Sequence, residues 1–225
     1  MFLSEYIEAL EQWLRKHANP EQAVPMQAYM RNQFPFLGLK SPERVELVKS
    51  FWKEHGVPKG EELLTAAVEL WSLPEREFHY TALNLLDKRK KTAEISDIKV
   101  LGKLIVEHSW WDTVDILAAH SIGSLLRKYP ELVSDYTERW IQSDNMWLRR
   151  TALLYQLRYK ESTDTERLFR YMESCKHEEE FFIRKAIGWA LREYAKSDEE
   201  AVVRYVQGAG LSPLSVKEAL KHIKA

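Results

Sequence analysis

Apolar and polar residues follow one another along the chain at helical intervals, with no strand-like alternation of useful length. Glu5, Glu8 and Glu11 interrupt the first apolar stretch at near-helical spacing, which argues against a signal peptide or membrane anchor. Ser41 before Pro42 is typical of a helix start with a serine cap. The pattern predicts roughly a dozen helices with short connections, in a single all-α domain over residues 1–225.

A repeat of 35 residues runs through this helical pattern. Two rows show the period, a polar row of Tyr80, Asp115, Arg150 and Lys185 and an apolar row of Ala82, Leu117, Ala152 and Ile187. Such a period predicts a solenoid of helix pairs, in which each repeat buries its face against its neighbours. Because the tetratricopeptide pattern of small and aromatic residues is absent, we expect an α-α superhelix of HEAT-like pairs.

The polar row has a functional consequence in such a solenoid. One helix of each pair lines the concave side, so equivalent positions of successive repeats form a ladder there. Further basic residues lie near the ladder in sequence, at Arg149, Arg158, Arg184 and Arg192. A concave surface with this charge can follow a phosphate backbone. Ordinary solvated helix faces are an equally consistent interpretation of the pattern.

Composition narrows the possible classes of function. The formal net charge of the 225 residues is -1, so DNA binding would require positive charge segregated onto one face. The one cysteine, Cys175, excludes an intramolecular disulfide and favours a reducing, cytoplasmic location. A lone helical cysteine is more typical of packing than of a nucleophile. The spacing of the histidines predicts no metal site.

The most unusual segment runs from Ser109 to Asp115. It contains the adjacent pair Trp110 and Trp111, whose side chains would point about 100° apart on a helix. Trp111 and Asp115 are four residues apart and share a helix face. A simple interpretation makes both tryptophans packing residues and Asp115 a solvated side chain. The position of Asp115 in the register of Arg150 weighs against it.

Six blocks keep their order and spacing over nearly the whole chain: YM at 29–30 with FLG at 36–38, EREF at 75–78, SWWDTVD at 109–115, SDNMWL at 143–148, KAIGWALREY at 185–194 and LSVKEALKHIK at 214–224. In these blocks the chain resembles the AlkD-type DNA glycosylases. The resemblance implies a C-shaped array of HEAT-like helix pairs with a concave DNA-binding face. It also implies excision of cationic N3- and N7-alkylated purines from double-stranded DNA, without a metal or organic cofactor.

Matching positions carry residue roles over from that family. Its catalytic aspartate matches Asp115, and the two tryptophans beside the deoxyribose of the lesion match Trp111 and Trp189. A DNA-contacting arginine matches Arg150, and a tyrosine near the duplex matches Tyr29.

Four further residues complete the expected DNA-binding set. Arg158 stands where a basic residue is common in the family, and Arg192 lies one turn beyond Trp189. Arg149 and Lys185 come from the ladder and its surroundings. We expect duplex DNA containing alkylated purines as the partner, no membrane association, and a monomer.

The chemistry of these lesions suits the residue types. An alkylated purine is already cationic and leaves readily, so a carboxylate that stabilises the developing sugar cation and orients water is sufficient. Indole faces also favour a nearby cation. The alternative is a non-catalytic HEAT scaffold that binds branched DNA or another protein. A scaffold has no need of the set Trp111, Asp115 and Trp189, which therefore favours the enzyme.

Overall fold

A computed structural model describes residues 2–223 of the chain. Met1, Lys224 and Ala225 lie outside the described residues; Lys224 ends the last of the six blocks. The described chain is all-helical, as predicted, and forms two compact units, Met1–Ala93 and Glu94–Ala225. The prediction of one domain over residues 1–225 stays a prediction. No helix within residues 2–223 is long and apolar enough to cross a membrane.

The described part of the first unit contains five helices: α1 Leu3–Lys16, α2 Pro20–Tyr29, α3 Ser41–His55, α4 Gly60–Ser72 and α5 Arg76–Arg89. Its core forms where α1 packs on α3 and α4, and where α5 packs on α3 and α4. Apolar residues from each of these four helices are buried there, among them Leu10, Leu14, Phe51, Leu70, Phe78 and Leu85. Helix α2 buries only Ala23.

A loop in the first unit is tied down by one carboxylate. Glu77 of α5 is fully buried and accepts hydrogen bonds from three successive backbone N–H groups, those of Leu37, Gly38 and Leu39, at 2.9–3.0 Å. Gly38 has φ +90°, and a Cβ there would lie 1.9 Å from the carbonyl oxygen of Asn19. Only glycine permits this approach of the loop to the start of α2.

The second unit contains nine α-helices in the described chain: α6 Asp97–Val106, α7 Trp111–Ile116, α8 Gly123–Lys128, α9 Glu131–Ile141, α10 Met146–Leu154, α11 Thr165–Cys175, α12 Phe181–Tyr194, α13 Glu199–Gly208 and α14 Pro213–Ala219. A π-helical segment, Leu117–Ile122, joins α7 directly to α8, and a short 3-10 turn spans Lys160–Ser162. Asn145, Asp164, Asp198 and Ser212 cap α10, α11, α13 and α14 by accepting from backbone N–H groups of the first turn.

Helix α10 has a central place in the second unit. It packs against α6, α7, the π-helical segment, α9, α11 and α12. The predicted apolar row is confirmed, since Leu117, Ala152 and Ile187 are each at most 1% exposed. Ala82, the member of the row in the first unit, is also fully buried. Repeats 35 residues apart therefore bury equivalent positions, which is the packing expected of stacked helix pairs.

Two local predictions are wrong. Ser41 does not cap α3: Lys40 is the residue before the first turn, and Ser41 is already helical without a side-chain cap. Trp110 and Trp111 do not lie on one helix, because α7 begins at Trp111 and Trp110 is extended, with φ -159° and ψ 160°. The side chain of Trp110 is thereby free to leave the face of α7 that carries Asp115.

Candidate active site

Asp115 and Arg150 form the central contact of the site. The Arg150 Nε donates to Asp115 Oδ1 at 2.7 Å, and Arg150 Nη2 donates to Oδ2 at 2.8 Å. Asp115 is 9% exposed and Arg150 4% exposed. The two ladder positions, 35 residues apart, are therefore direct neighbours on α7 and α10. Because both are buried, the interpretation of these two residues as ordinary solvated side chains is wrong.

Arg150 is held from its other side as well. Its Nη1 donates a hydrogen bond to the backbone carbonyl oxygen of Phe182, and its guanidinium carbon lies 5.8 Å from the centre of the Phe182 ring. Phe182 belongs to an aromatic cluster with Trp110 and Trp147, whose ring centres are 5.2–5.8 Å apart. The cluster and the carbonyl fix the fork of the guanidinium, so the carboxylate of Asp115 is held in one orientation.

The protonation of Asp115 reflects opposing influences. Burial raises the pKa of the Asp115 carboxyl, and the nearby charge of Asp112 acts in the same direction. The hydrogen bonds and charge of Arg150 oppose both. The side chain of Asp115 keeps 11% of its surface exposed. The structure thus presents a partly desolvated carboxyl group at a solvent edge, with a cation that favours its charged form.

The two tryptophans of the predicted site lie on helices that flank α10. Trp111 opens α7, one turn before Asp115, and Trp189 lies in the middle of α12. Both residues are half-buried. Gly188, beside Trp189, faces α14 so closely that a Cβ there would lie 2.7 Å from the carbonyl oxygen of Ser215. The position of Trp189 is therefore fixed by the packing of α12 on α14.

Lys185 and Arg192 share one partner. Lys185 Nζ lies 2.8 Å from Glu218 Oε1, and Arg192 Nη1 lies 2.8 Å from Glu218 Oε2. Together with Trp189 they occupy positions i, i+4 and i+7 of α12, which form one helix face. Glu218 comes from α14.

The other two predicted basic residues of this unit differ from each other. Arg149 is engaged, with Nε and Nη2 on the Glu178 carboxylate at 3.0 and 2.8 Å and Nη1 on the carbonyl oxygen of Ser143 at 2.6 Å. Arg158 is exposed, and its Nη1 lies 3.2 Å from His120 Nε2. Of the two, Arg158 is the more accessible to a ligand.

Comparison with known proteins adds the family. The family model for the DNA alkylation repair enzyme matches residues 10–223. The chain belongs to the DNA alkylation repair enzyme family. A solved structure, "Predicted DNA alkylation repair enzyme from Enterococcus faecalis", is similar to it with 34% sequence identity and a TM-score of 0.84, over 92% of this chain and 98% of that one. No curated protein matches the chain.

Membership of the DNA alkylation repair enzyme family confirms the resemblance drawn from the six blocks, and with it a role as an enzyme of DNA alkylation repair. The roles of the individual residues stay predictions. Tyr29, which ends α2 in the first unit, is 70% exposed. Cys175 is buried, and burial raises the pKa of its thiol to about 12, which favours the packing interpretation over a nucleophile.

Sequence reasoning missed two residues that the structure places at this site. Phe182 contributes a backbone carbonyl, which no side-chain pattern reveals. Glu218 lies in the last of the six blocks, but its partners are 26 and 33 residues away, and α14 is too short to show a period. The sequence contains one signal for Glu218: two basic residues on one face of α12 favour an acidic partner.

Proposed function

We propose that the chain is a monofunctional DNA glycosylase that hydrolyses the N-glycosidic bond of cationic N3- and N7-alkylated purines in duplex DNA, as the first step of base excision repair. The observation that carries this proposal is the Asp115 carboxylate, held by two hydrogen bonds from Arg150 at a solvent edge one turn after Trp111. A family of DNA alkylation repair enzymes supplies the class of substrate.

The reaction requires little from the protein. The electrons of the C1′–N bond go to the purine, which neutralises its positive charge, and cationic character develops on the deoxyribose. The charge of Asp115 stabilises that cation. Water then adds its oxygen to C1′ and gives its proton to Asp115 or to solvent, which leaves an abasic sugar and a neutral alkylpurine. No bond to the protein forms, so strand cleavage does not accompany excision.

Arg150 keeps this carboxyl group usable despite its burial. A protonated Asp115 would neither oppose a cation nor accept a proton from water. Burial favours that protonated form, and the two hydrogen bonds from Arg150 counter it. A guanidinium has five N–H donors, and three N–H groups of Arg150 are engaged with Asp115 and Phe182. We assign the two remaining donors, on the terminal nitrogens, to a DNA phosphate that approaches the exposed 4% of Arg150.

The tryptophans and basic residues complete the proposal. The indoles of the half-buried Trp111 and Trp189 stabilise the sugar cation by roughly 0.5–2 kcal/mol each. The DNA backbone is bound by charged and polar side chains, which we assign to Arg150, Arg149, Arg158, Lys185, Arg192 and Tyr29.

The test is release of free base. Purified protein is incubated with methylated duplex DNA, and the supernatant is analysed by chromatography for 3-methyladenine and 7-methylguanine. We expect both bases in the supernatant and intact strands until the abasic sites are cleaved by alkali. A duplex containing uracil is the matched control, because a neutral base leaves slowly without an acid to assist it and no residue is assigned to that task.

Two outcomes would contradict the proposal. Efficient release of uracil would show a base-reading pocket and a different mechanism. Binding of DNA with no release of alkylated base would instead favour the non-catalytic scaffold. Spontaneous depurination is measured in parallel without protein and subtracted.

A further inference from the structure

Glu218 binds two cations that stand on either side of Trp189. Lys185 and Arg192 are seven residues apart, about 10 Å along the axis of α12. Their charged groups nevertheless converge on the two oxygens of one carboxylate, each at 2.8 Å. The Lys185 ammonium, together with the Arg192 guanidinium, holds the pKa of Glu218 below its usual range. Glu218 is therefore negatively charged at neutral pH, and the group of three carries a net charge of about +1.

The backbone of Glu218 is fixed on α12 by close packing. A Cβ on Gly188 would lie 2.4 Å from Glu218 Cβ, so only glycine at that position admits α14. Ser215, one turn earlier on α14, donates its hydroxyl to the carbonyl oxygen of Arg184 at 2.9 Å. Side-chain exposure is 15% for Glu218 and 20% for Arg192. Lys185 is more exposed, at 35%, but the fixed backbone of Glu218 distinguishes this contact from a mobile surface ion pair.

The contact of Glu218 with Lys185 and Arg192 lies beside Trp189, where it affects the binding of DNA phosphates. A phosphate that approaches the face of α12 around Trp189 meets Lys185 and Arg192, but also the negative charge between them. Affinity of a protein for undamaged DNA grows with the number of phosphates that its cations neutralise. A repair enzyme must leave undamaged DNA, which vastly outnumbers lesions. A carboxylate that occupies two cations beside the reaction site lowers that background affinity.

We propose that Glu218 restrains Lys185 and Arg192 and thereby limits the background affinity of the α12 face for DNA phosphates, including those of undamaged DNA. This inference rests on the proposed function, because it takes the face around Trp189 as a DNA-binding surface. The ligand is the phosphodiester backbone.

The experiment compares binding of undamaged duplex by the wild type and by Glu218→Gln. Glutamine keeps the shape and one acceptor oxygen but removes the charge, so the two cations gain freedom to bind phosphate. We expect roughly 3- to 10-fold tighter binding at about 0.1 M salt, and a slope of log affinity against log salt that is steeper by about one. Fluorescence anisotropy between about 50 and about 200 mM salt measures both.

Glu138→Gln is the matched control. Glu138 of α9 also binds two cations, Arg167 and Arg170 of α11, at 2.7–3.3 Å, and loses the same charge. A gain in affinity shared by both variants would be an effect of net charge and would overturn the proposal. Unchanged or weaker binding by Glu218→Gln would overturn it too, since Glu218 would then be structural. Thermal denaturation verifies that each variant is folded.

A second variant assigns the gain to its source. Adding Lys185→Ala to Glu218→Gln should return the salt slope to the wild-type value; a slope that stays steep would show that other cations are responsible.

Excision in the presence of undamaged competitor separates this inference from the proposed function. If the wild type releases alkylated bases but Glu218→Gln binds undamaged duplex no more tightly than the wild type does, only the inference fails. If Glu218→Gln binds more tightly but neither protein releases base, only the glycosylase proposal fails.

Discussion

Two buried carboxylates, Glu77 in the first unit and Asp115 in the second, show how similar groups serve different ends. Glu77 is fully enclosed and accepts three backbone N–H groups of one loop. Asp115 keeps an exposed edge, and its partner is a side chain, Arg150. When backbone N–H groups surround an enclosed carboxylate, the charge of that carboxylate stabilises the fold. A single cation behind a carboxylate with an open edge leaves one side of the charge available for a reaction.

The comparison also teaches that burial alone does not mark an active site. Burial raises the pKa of both carboxyl groups, and in both cases hydrogen bonds oppose it. What distinguishes them is the surrounding surface. Half-buried Trp111 lies one turn from Asp115, whereas Glu77 is flanked in sequence by the fully buried Arg76 and Phe78. The following variants test this distinction, beginning with the largest expected effect.

Asp115→Asn should lower excision of 7-methylguanine on the order of 100-fold or more, because the charge that opposes the sugar cation is lost. Single-turnover release of base measures the effect. Stability should fall by about 1–3 kcal/mol, since Arg150 stays buried without its full partner. Adding Arg150→Gln should recover part of that stability but none of the activity. An Asp115→Asn protein that excises at the wild-type rate refutes the role of Asp115.

Glu77→Gln should show the opposite pattern. One oxygen that accepts from the loop becomes an NH₂ group, so we expect a loss of about 1.5–3 kcal/mol in the free energy of unfolding. Urea denaturation followed by circular dichroism measures it. Excision by the folded protein, assayed well below its melting temperature, should stay within a factor of about three. A large loss of excision in a fully folded variant would erase the distinction between the two carboxylates.

The pH dependence of excision reports on Asp115. Its folded-state pKa is raised by burial, and activity requires the ionised form, so kcat/KM should fall as pH decreases through a value above the ordinary aspartate pKa of about 3.9. Arg150→Gln removes the influence that lowers this pKa, so the acidic limb should move to higher pH. A limb that does not move on this substitution would show that another group titrates.

Trp111→Leu should have the smallest effect, a decrease in excision of roughly 2- to 30-fold, which corresponds to the roughly 0.5–2 kcal/mol of one cation–π contact. Trp140→Leu is the control, because Trp140 of α9 is buried against Tyr136 and should affect stability rather than excision. If both variants lower excision equally in folded protein, the indole of Trp111 has no special role beside Asp115.

The sequence by itself determined the helical class, the repeat and the family. These features are periodic: the row of Leu117, Ala152 and Ile187 repeats with the helix pairs. It also placed Asp115 and Arg150 in one register. The period predicts that such positions are neighbours, but it contains no information on whether their side chains face solvent or each other.

Only the tertiary structure decided the partners of the charged groups. The paired hydrogen bonds of Arg150 to Asp115 depend on the Phe182 carbonyl and on Trp110. Trp110 lies outside the helix that the sequence predicted for it. Glu218 reaches Lys185 because Gly188 lets α14 approach α12. Such contacts depend on the distance between helices far apart in the chain. A difference of one side-chain length there decides whether a carboxylate binds a cation, water or a ligand.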